Sequence, residues 1–279
     1  MALLTRVPAL LGVALGACDL VRPNDPLALD ESVVALQAVL MGGSTRPEVM
    51  LYYPHGQQDR RPAAEVWLAA EGARGWSFPL APVECSVPKP ESASCYSTQL
   101  PASLLEGETY SVRAWASGDT IVGRTRIPRA PRLLAPAQDT TIQTGGEPSR
   151  LSVRLDYVPS ADAARTVLDV SDFVVYDTAG ARYDDCQPWT TPFPGEAIGA
   201  LPPMTVQVRD LFVGCVVPRW ARVEATLSLL AYDSAYARFA QESDEGVLRR
   251  PWPDFGIERG IGLFAAAARS AGVRVVFVR

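Results

Sequence analysis

The sequence holds one histidine, His55, and one lysine, Lys89, in 279 residues. Catalysis through an imidazole therefore has a single candidate. It stands in Tyr53-Pro-His-Gly-Gln, a turn sequence with no G-x-S-x-G element to supply a nucleophile, and is read as a solvent-facing turn residue. No CxxC spacing exists and His55 is far in sequence from every cysteine, so the usual zinc ligand patterns are missing. The excess of one charge sign is also small. The 26 basic and 31 acidic residues leave a net of −5, which gives no global basic field to gather nucleic acid. Gly256, Gly260 and Gly262 form G-x-x-x-G-x-G without the lysine of a phosphate-binding loop, and read instead as a hairpin or bulge where strands approach closely.

What is present is a globular composition. Hydrophobic residues make up 48% and charged residues 20%, which excludes a disordered chain. The 24 prolines and 21 glycines follow no fixed period, which excludes collagen and coiled coil. The length fits one large or two ordinary domains.

The N-terminus carries Arg6 followed by an uncharged run from Val7 to Ala17, matching the first two regions of a secretory signal. The run is too short to span a bilayer, which takes roughly 20 residues. It ends in Leu15-Gly16-Ala17-Cys18, which resembles the bacterial lipobox, a branched apolar residue and two small ones before a lipid-modified cysteine. Residues 1–17 are expected to be a lipoprotein signal peptide and Cys18 the lipidated first residue; an ordinary signal peptide is the alternative. Each buried acyl methylene contributes about 0.8 kcal/mol, so several chains hold the protein on the membrane. Residues 18–30, polar and proline-bearing, read as a tether. The expected location is the cell envelope, either the outer membrane and cell surface or the periplasmic face of the inner membrane.

With Cys18 assigned, Cys85, Cys95, Cys186 and Cys215 form an even set in an oxidising compartment. Four cysteines allow three pairings. Proximity in sequence and the domain division favour Cys85–Cys95 and Cys186–Cys215, worth roughly 3 and 3.5 kcal/mol by loop entropy.

From Ser32 onward, short strand-like runs alternate with turn residues: Val33 to Leu40, Glu48 to Tyr53, Glu65 to Leu68, Trp76 to Leu80. Leu104-Leu-Glu-Gly-Glu-Thr-Tyr110-Ser-Val-Arg-Ala-Trp115 places a leucine, a glycine turn and a tyrosine before period-2 alternation, which resembles the tyrosine corner of immunoglobulin and fibronectin-type sandwiches. Val112 and Ala114 should face one side, Ser111, Arg113 and Trp115 the other, and Gly118-Asp119 should turn the chain into Ile121–Ile127. Pro128-Arg-Ala-Pro131 marks a boundary. Beyond it lie strand patterns at Arg150–Tyr157, Asp172–Tyr176, Val206–Val217, Val223–Tyr232 and Val273–Val278. One helix is expected over Asp233–Ser243, with Asp233 as N-cap and Tyr236, Phe239 and Ala240 on one face. The expected fold is all-β: an immunoglobulin/fibronectin-like β-sandwich over 31–130, then a second β-rich domain over 131–279 with one short helix.

The closing run Gly256-Ile-Glu-Arg-Gly260-Ile-Gly-Leu-Phe264-Ala, with the strand and tyrosine-containing helix before it, resembles the bacterial lipoprotein family called domain of unknown function 4249. The lipobox, Ala64-Glu-Val-Trp-Leu68 and Gly107 to Trp115 match the same pattern. Arg259 stands where that signature has a small residue, and the four further cysteines are additional. The resemblance implies an immunoglobulin-like N-terminal domain, a second β-rich domain and attachment to the envelope, in proteins that accompany outer-membrane nutrient uptake. It implies no catalytic residues.

Two groups of side chains remain. Asp184-Asp185 and Asp169, Asp172 and Asp177 are carboxylates suited to calcium or acid–base work, but without EF-hand spacing they read as solvated. Of the six tryptophans, Trp115 and Trp189 are the candidate contact residues. Trp115 shares a strand face with Arg113, and Trp189 lies in a proline-rich stretch beside Cys186. The expected function is non-enzymatic: a lipid-anchored binding or interaction module whose partners are the membrane, through its lipid, and an envelope protein or glycan. No cofactor, metal or nucleic acid is expected. The alternatives are an assembly component of an envelope complex, or a glycan-active enzyme using paired carboxylates.

Overall fold

The computed structural model describes residues 33–54, 61–72, 75–86, 93–143, 152–183, 187–188, 203–207, 212–213, 220–244 and 255–279. Cys18, His55, Cys186, Trp189 and Cys215 lie outside them, as do Asp184 and Asp185. The chain is mainly β with one short helix. The first strands are β1 (Ala35–Met41), β2 (Glu48–Tyr52), β3 (Ala64–Ala70), β4 (Trp76–Val83), β5 (Ser94–Ser97), β6 (Thr109–Ala116) and β7 (Asp119–Arg126). Then come β8 (Arg132–Ala135), β9 (Thr140–Gln143), β10 (Ser152–Val158), β11 (Arg165–Asp177), β12 (Arg182–Tyr183), β13 (Gln187–Pro188), β14 (Met204–Gln207), β15 (Phe212–Val213) and β16 (Trp220–Tyr232). Helix α1 (Ser234–Asp244) precedes β17 (Ile257–Arg259), β18 (Ile261–Arg269) and β19 (Val273–Val278).

The main path of pairing runs β12-β11-β16-β18-β1-β2-β5-β4-β3-β6-β7-β17. β4 turns the path, because Trp76–Leu80 pair with β3 while Ala81–Val83 pair with β5. A core of Leu36, Leu40, Leu51, Leu68, Leu104, Tyr110, Val112 and Ile127 fills the space between the strands. The tyrosine geometry expected from sequence is present: the Tyr110 hydroxyl accepts the Leu105 N–H at 2.7 Å, and Tyr110 is buried. Alternation along β6 follows the expectation too, with Val112 and Ala114 fully buried and Arg113 and Trp115 exposed. The hairpin turn is centred on Ser117-Gly118, one residue earlier than expected. Both have positive φ, 53° and 83°, so they form the primed turn whose twist suits a two-residue hairpin.

β8 begins directly after Pro131 and joins the separate sheet β14-β10-β8. This sheet packs on β11, β16 and β19 around Leu155, Tyr157, Val170, Leu227, Leu229 and Phe277. β11 is much longer than the run expected from sequence. It is bent at Asp172, where φ is 48° and the register with β16 shifts between Ser171 and Val174.

The C-terminal segment belongs to both cores. β18 pairs in parallel with β1, Ala35 opposite Ile261 through Met41 opposite Ala267, and its end pairs with β16. It is therefore a central strand covered on both faces, which calls for a continuous apolar run rather than alternation. Phe264, Ala266 and Ala268 enter the first core, while Leu263 and Ala265 pack with Ala235 and Phe255 beside α1. Two glycines permit the approach. At Gly262, with φ of 129°, a Cβ would stand 1.9 Å from the Leu36 carbonyl oxygen; at Gly256, with φ of 72°, 2.0 Å from that of Phe264. β18 and β19 then run in line along β16. Ser270 bridges the break: its N–H donates to the Leu229 carbonyl at 2.8 Å and its Oγ accepts the Leu229 N–H at 2.9 Å.

Asp233 caps α1, its Oδ1 accepting the Tyr236 N–H at 2.9 Å. No helix among the described residues is long and apolar enough to cross a membrane.

Candidate functional site

Two surfaces of the β6–β7 hairpin carry chemistry. At its tip, Trp115 is 41% exposed and the Arg113 guanidinium carbon lies 5.5 Å from the centre of its ring. Register places Trp115 opposite Glu65 and Arg113 opposite Trp67 on β3, so the four side chains share one outward face. The Trp67 indole N–H donates to the Glu65 carboxylate at 2.7 Å. The result is a partly exposed indole with the Arg113 guanidinium over its ring and the Glu65 carboxylate across the strand pair. Sequence alternation pointed to Trp115. It did not point to Trp67, whose place beside Arg113 depends on cross-strand register.

At the other end of the hairpin lies an open pocket of about 700 Å³, lined by Thr109, Arg124, Thr125 and Arg126 from β6 and β7. Pro128, Ala161–Ala164, Asp233–Ala235, Arg238 and Gly256–Glu258 complete the wall. It sits where the first core, the β10–β11 connection, the start of α1 and β17 meet, and junctions of this kind are usual places for small ligands. Its floor is a buried polar pair: the Thr125 hydroxyl donates to Asp233 Oδ2, and both residues are buried. Burial pushes the Asp233 carboxyl up from its ordinary value, against the hydrogen bonds from Thr125 and Tyr236 that favour its charge.

The rim carries both signs. The Arg124 Nε donates to Glu71 at 2.8 Å and the Arg126 Nε to the Gly107 carbonyl at 2.9 Å, which fixes both guanidiniums. Arg238 lies with its guanidinium carbon 6.0 Å from the Phe255 ring centre. Opposite them, Asp162 accepts the Arg129 N–H at 3.1 Å and the Ser160 hydroxyl at 2.6 Å, and the Ser160 bond holds its carboxyl below the ordinary value. Sequence reading missed this site because its lining residues come from four distant stretches of chain.

The other sequence candidates disperse. Cys85 and Cys95 are joined, with sulfurs 2.01 Å apart. Glu48 lies within 4.8 Å of both sulfurs and accepts the Ser86 N–H on both carboxylate oxygens at 3.2 Å. With the sulfurs bonded to each other, that group offers a cation only its carboxylate. Asp169 accepts the Ser228 hydroxyl at 3.0 Å and pairs with Arg269 at 3.3 Å. Asp177 accepts the N–H groups of Ala179 and Ala181 at 2.8 and 2.7 Å, closing its turn, while Asp172 forms the bulge. The Asp169 and Asp177 carboxylates are thus engaged by other protein groups. The glycines of the closing signature serve strand approach, as read from sequence.

No family model and no curated protein matches the chain. Among solved structures, the calcium binding domain CBD12 of CALX1.1 is 12% identical, with 88% of this chain and 99% of that chain covered and a TM-score of 0.23. A titin tandem of Ig domains is 9% identical over 88% of this chain and 97% of that one, with a TM-score of 0.18. Extracellular domains 3–5 of Drosophila OTK are 9% identical over 86% and 62%, with a TM-score of 0.17.

Proposed function

We propose that the chain is a lipid-anchored cell-envelope binding module, of the kind the domain of unknown function 4249 resemblance implies, with an immunoglobulin-like N-terminal sandwich. Cys18 holds it to the membrane, residues 18–30 act as a tether, and the Trp115 face captures an envelope glycan. The observation that carries this reading is the lipobox Leu15-Gly16-Ala17-Cys18 on a chain whose Cys85 and Cys95 are joined, since disulfides persist in exported proteins. The Tyr110–Leu105 hydrogen bond and the burial alternation of β6 support the sandwich.

A glycan is favoured over a broad protein interface by the exposed apolar side chains. The large ones among the described residues are Trp115, Leu134, Val158 and Tyr183, and of these only Leu134 and Val158 stand on strands that pair with each other, β8 and β10. An indole beside Arg113 and Glu65 offers a sugar a stacking face and hydrogen-bonding groups at its edge. Affinity electrophoresis of the full chain through gels containing isolated envelope polysaccharide tests this. The wild-type chain is expected to be retarded and Trp115→Ala to migrate as in plain gel; wild-type mobility unchanged by the polysaccharide would remove the capture role.

A further inference from the structure

The pocket at the base of the β6–β7 hairpin is separate from the Trp115 face. β6 carries Thr109 at one end and Trp115 at the other, about 20 Å apart at strand rise. We propose that this pocket binds a small hydroxylated anion, a sugar bearing a phosphate or a carboxylate. Arg124, Arg126 and Arg238 face its space from two different elements. A guanidinium presents paired N–H donors in the plane that phosphate and carboxylate oxygens fit. Arg126 is fixed through Nε by the Gly107 carbonyl, which reduces the ordering a ligand must impose. Arg124 is ion-paired with Glu71 through Nε and Nη2, which leaves its remaining N–H groups for the ligand.

The acidic side of the wall has a different role. Asp162 and Glu258 are exposed acceptors and suit sugar hydroxyls. The third lining carboxylate, Asp233, is occupied from below by Thr125 and by the Tyr236 N–H, so it does not compete with the ligand for the arginines. The volume of about 700 Å³ fits a hexose phosphate and lies within the range of small-molecule sites. The apolar share of the wall, Pro128, Ala235 and Ile257, gives the sugar ring a surface free of competing hydrogen bonds.

Calorimetric titration of the full chain with glucose 1-phosphate, glucuronate, glucose and inorganic phosphate decides the proposal. The two anionic sugars are expected to bind saturably, with glucose and inorganic phosphate at least tenfold weaker. Arg238→Ala should weaken the better anionic sugar about tenfold or more, the size of one lost charge-assisted contact. Raising salt should weaken the wild-type interaction, a readout independent of any variant's folding. Which anionic sugar binds better separates a phosphate ligand from a carboxylate one. Absence of binding by both, equal binding of glucose, or an affinity unmoved by salt and by Arg238→Ala would overturn the site; equal binding of inorganic phosphate would overturn the sugar. The Trp115 face and the lipid anchor are untouched by either result.

Discussion

The core around Leu36, Leu51 and Tyr110 is closed by β18, a strand from the far end of the chain, whereas the core around Leu155, Leu229 and Phe277 draws only on residues beyond Pro131. The two closures demand different residues. β18 is buried on both faces in a parallel pair and is built from glycine, phenylalanine and a run of alanines. Strands β16 and β19 pair antiparallel and keep an outward face, where Arg222 and Arg274 meet the Glu224 carboxylate. A parallel strand arriving from a distance tolerates little change, because its ladder and both of its faces are already filled.

The largest effect is expected at Gly262. Gly262→Ala places a methyl against the Leu36 backbone at a φ that side chains avoid, and should cost more than about 4 kcal/mol in urea unfolding. A loss within about 1 kcal/mol would show that the parallel pairing does not depend on this approach.

Phe264→Ala and Phe277→Ala sharpen the comparison. Each empties a fully buried ring site, in the first and second core respectively, and each should cost about 3–5 kcal/mol. Because β16 pairs with both β18 and β19, either loss should move a single transition for the whole chain. Two transitions, with only one displaced by each variant, would mean that the shared strands do not couple the cores.

Tyr110→Phe leaves the half-buried Leu105 N–H, at the edge of the first core, without its partner and should cost about 1–2 kcal/mol, with β6 otherwise unchanged. A neutral result would mean that water replaces the hydroxyl.

Asp233→Asn, at the start of α1 beside Thr125, should have the smallest effect near neutral pH. Asparagine keeps the cap, and its amide can donate to Thr125. The raised pKa of Asp233 means that its contribution to stability is complete below the ordinary carboxylate range and is lost as pH rises through the folded-state value. The variant should remove that decline, measured as midpoint against pH; an unchanged profile would mean that other groups produce it.

The contrast between the cores also explains what the sequence disclosed. The hairpin, the tyrosine, the α1 cap and the Cys85–Cys95 pair were legible because each is set by residues close together in the chain. β18 was not. Ala265–Ala268 has no alternation, and its pairing with β1 leaves no local trace. The first half of β11 was obscured by Asp172, which reads as a strand start and is a bulge within one. Of the candidate surfaces, Trp115 followed from period-2 alternation, while Arg124, Arg126 and Arg238 are neighbours only after β7 and α1 are brought together.

The claim that places this protein in the envelope rests on one thiol, and metabolic labelling with tagged palmitate, followed by membrane fractionation, addresses it directly. The wild-type chain should carry label and sediment with membranes. Cys18→Ser should carry none and accumulate as unprocessed precursor. A Cys18→Ser chain that is still labelled, or is processed and membrane-bound like the wild type, would contradict the account.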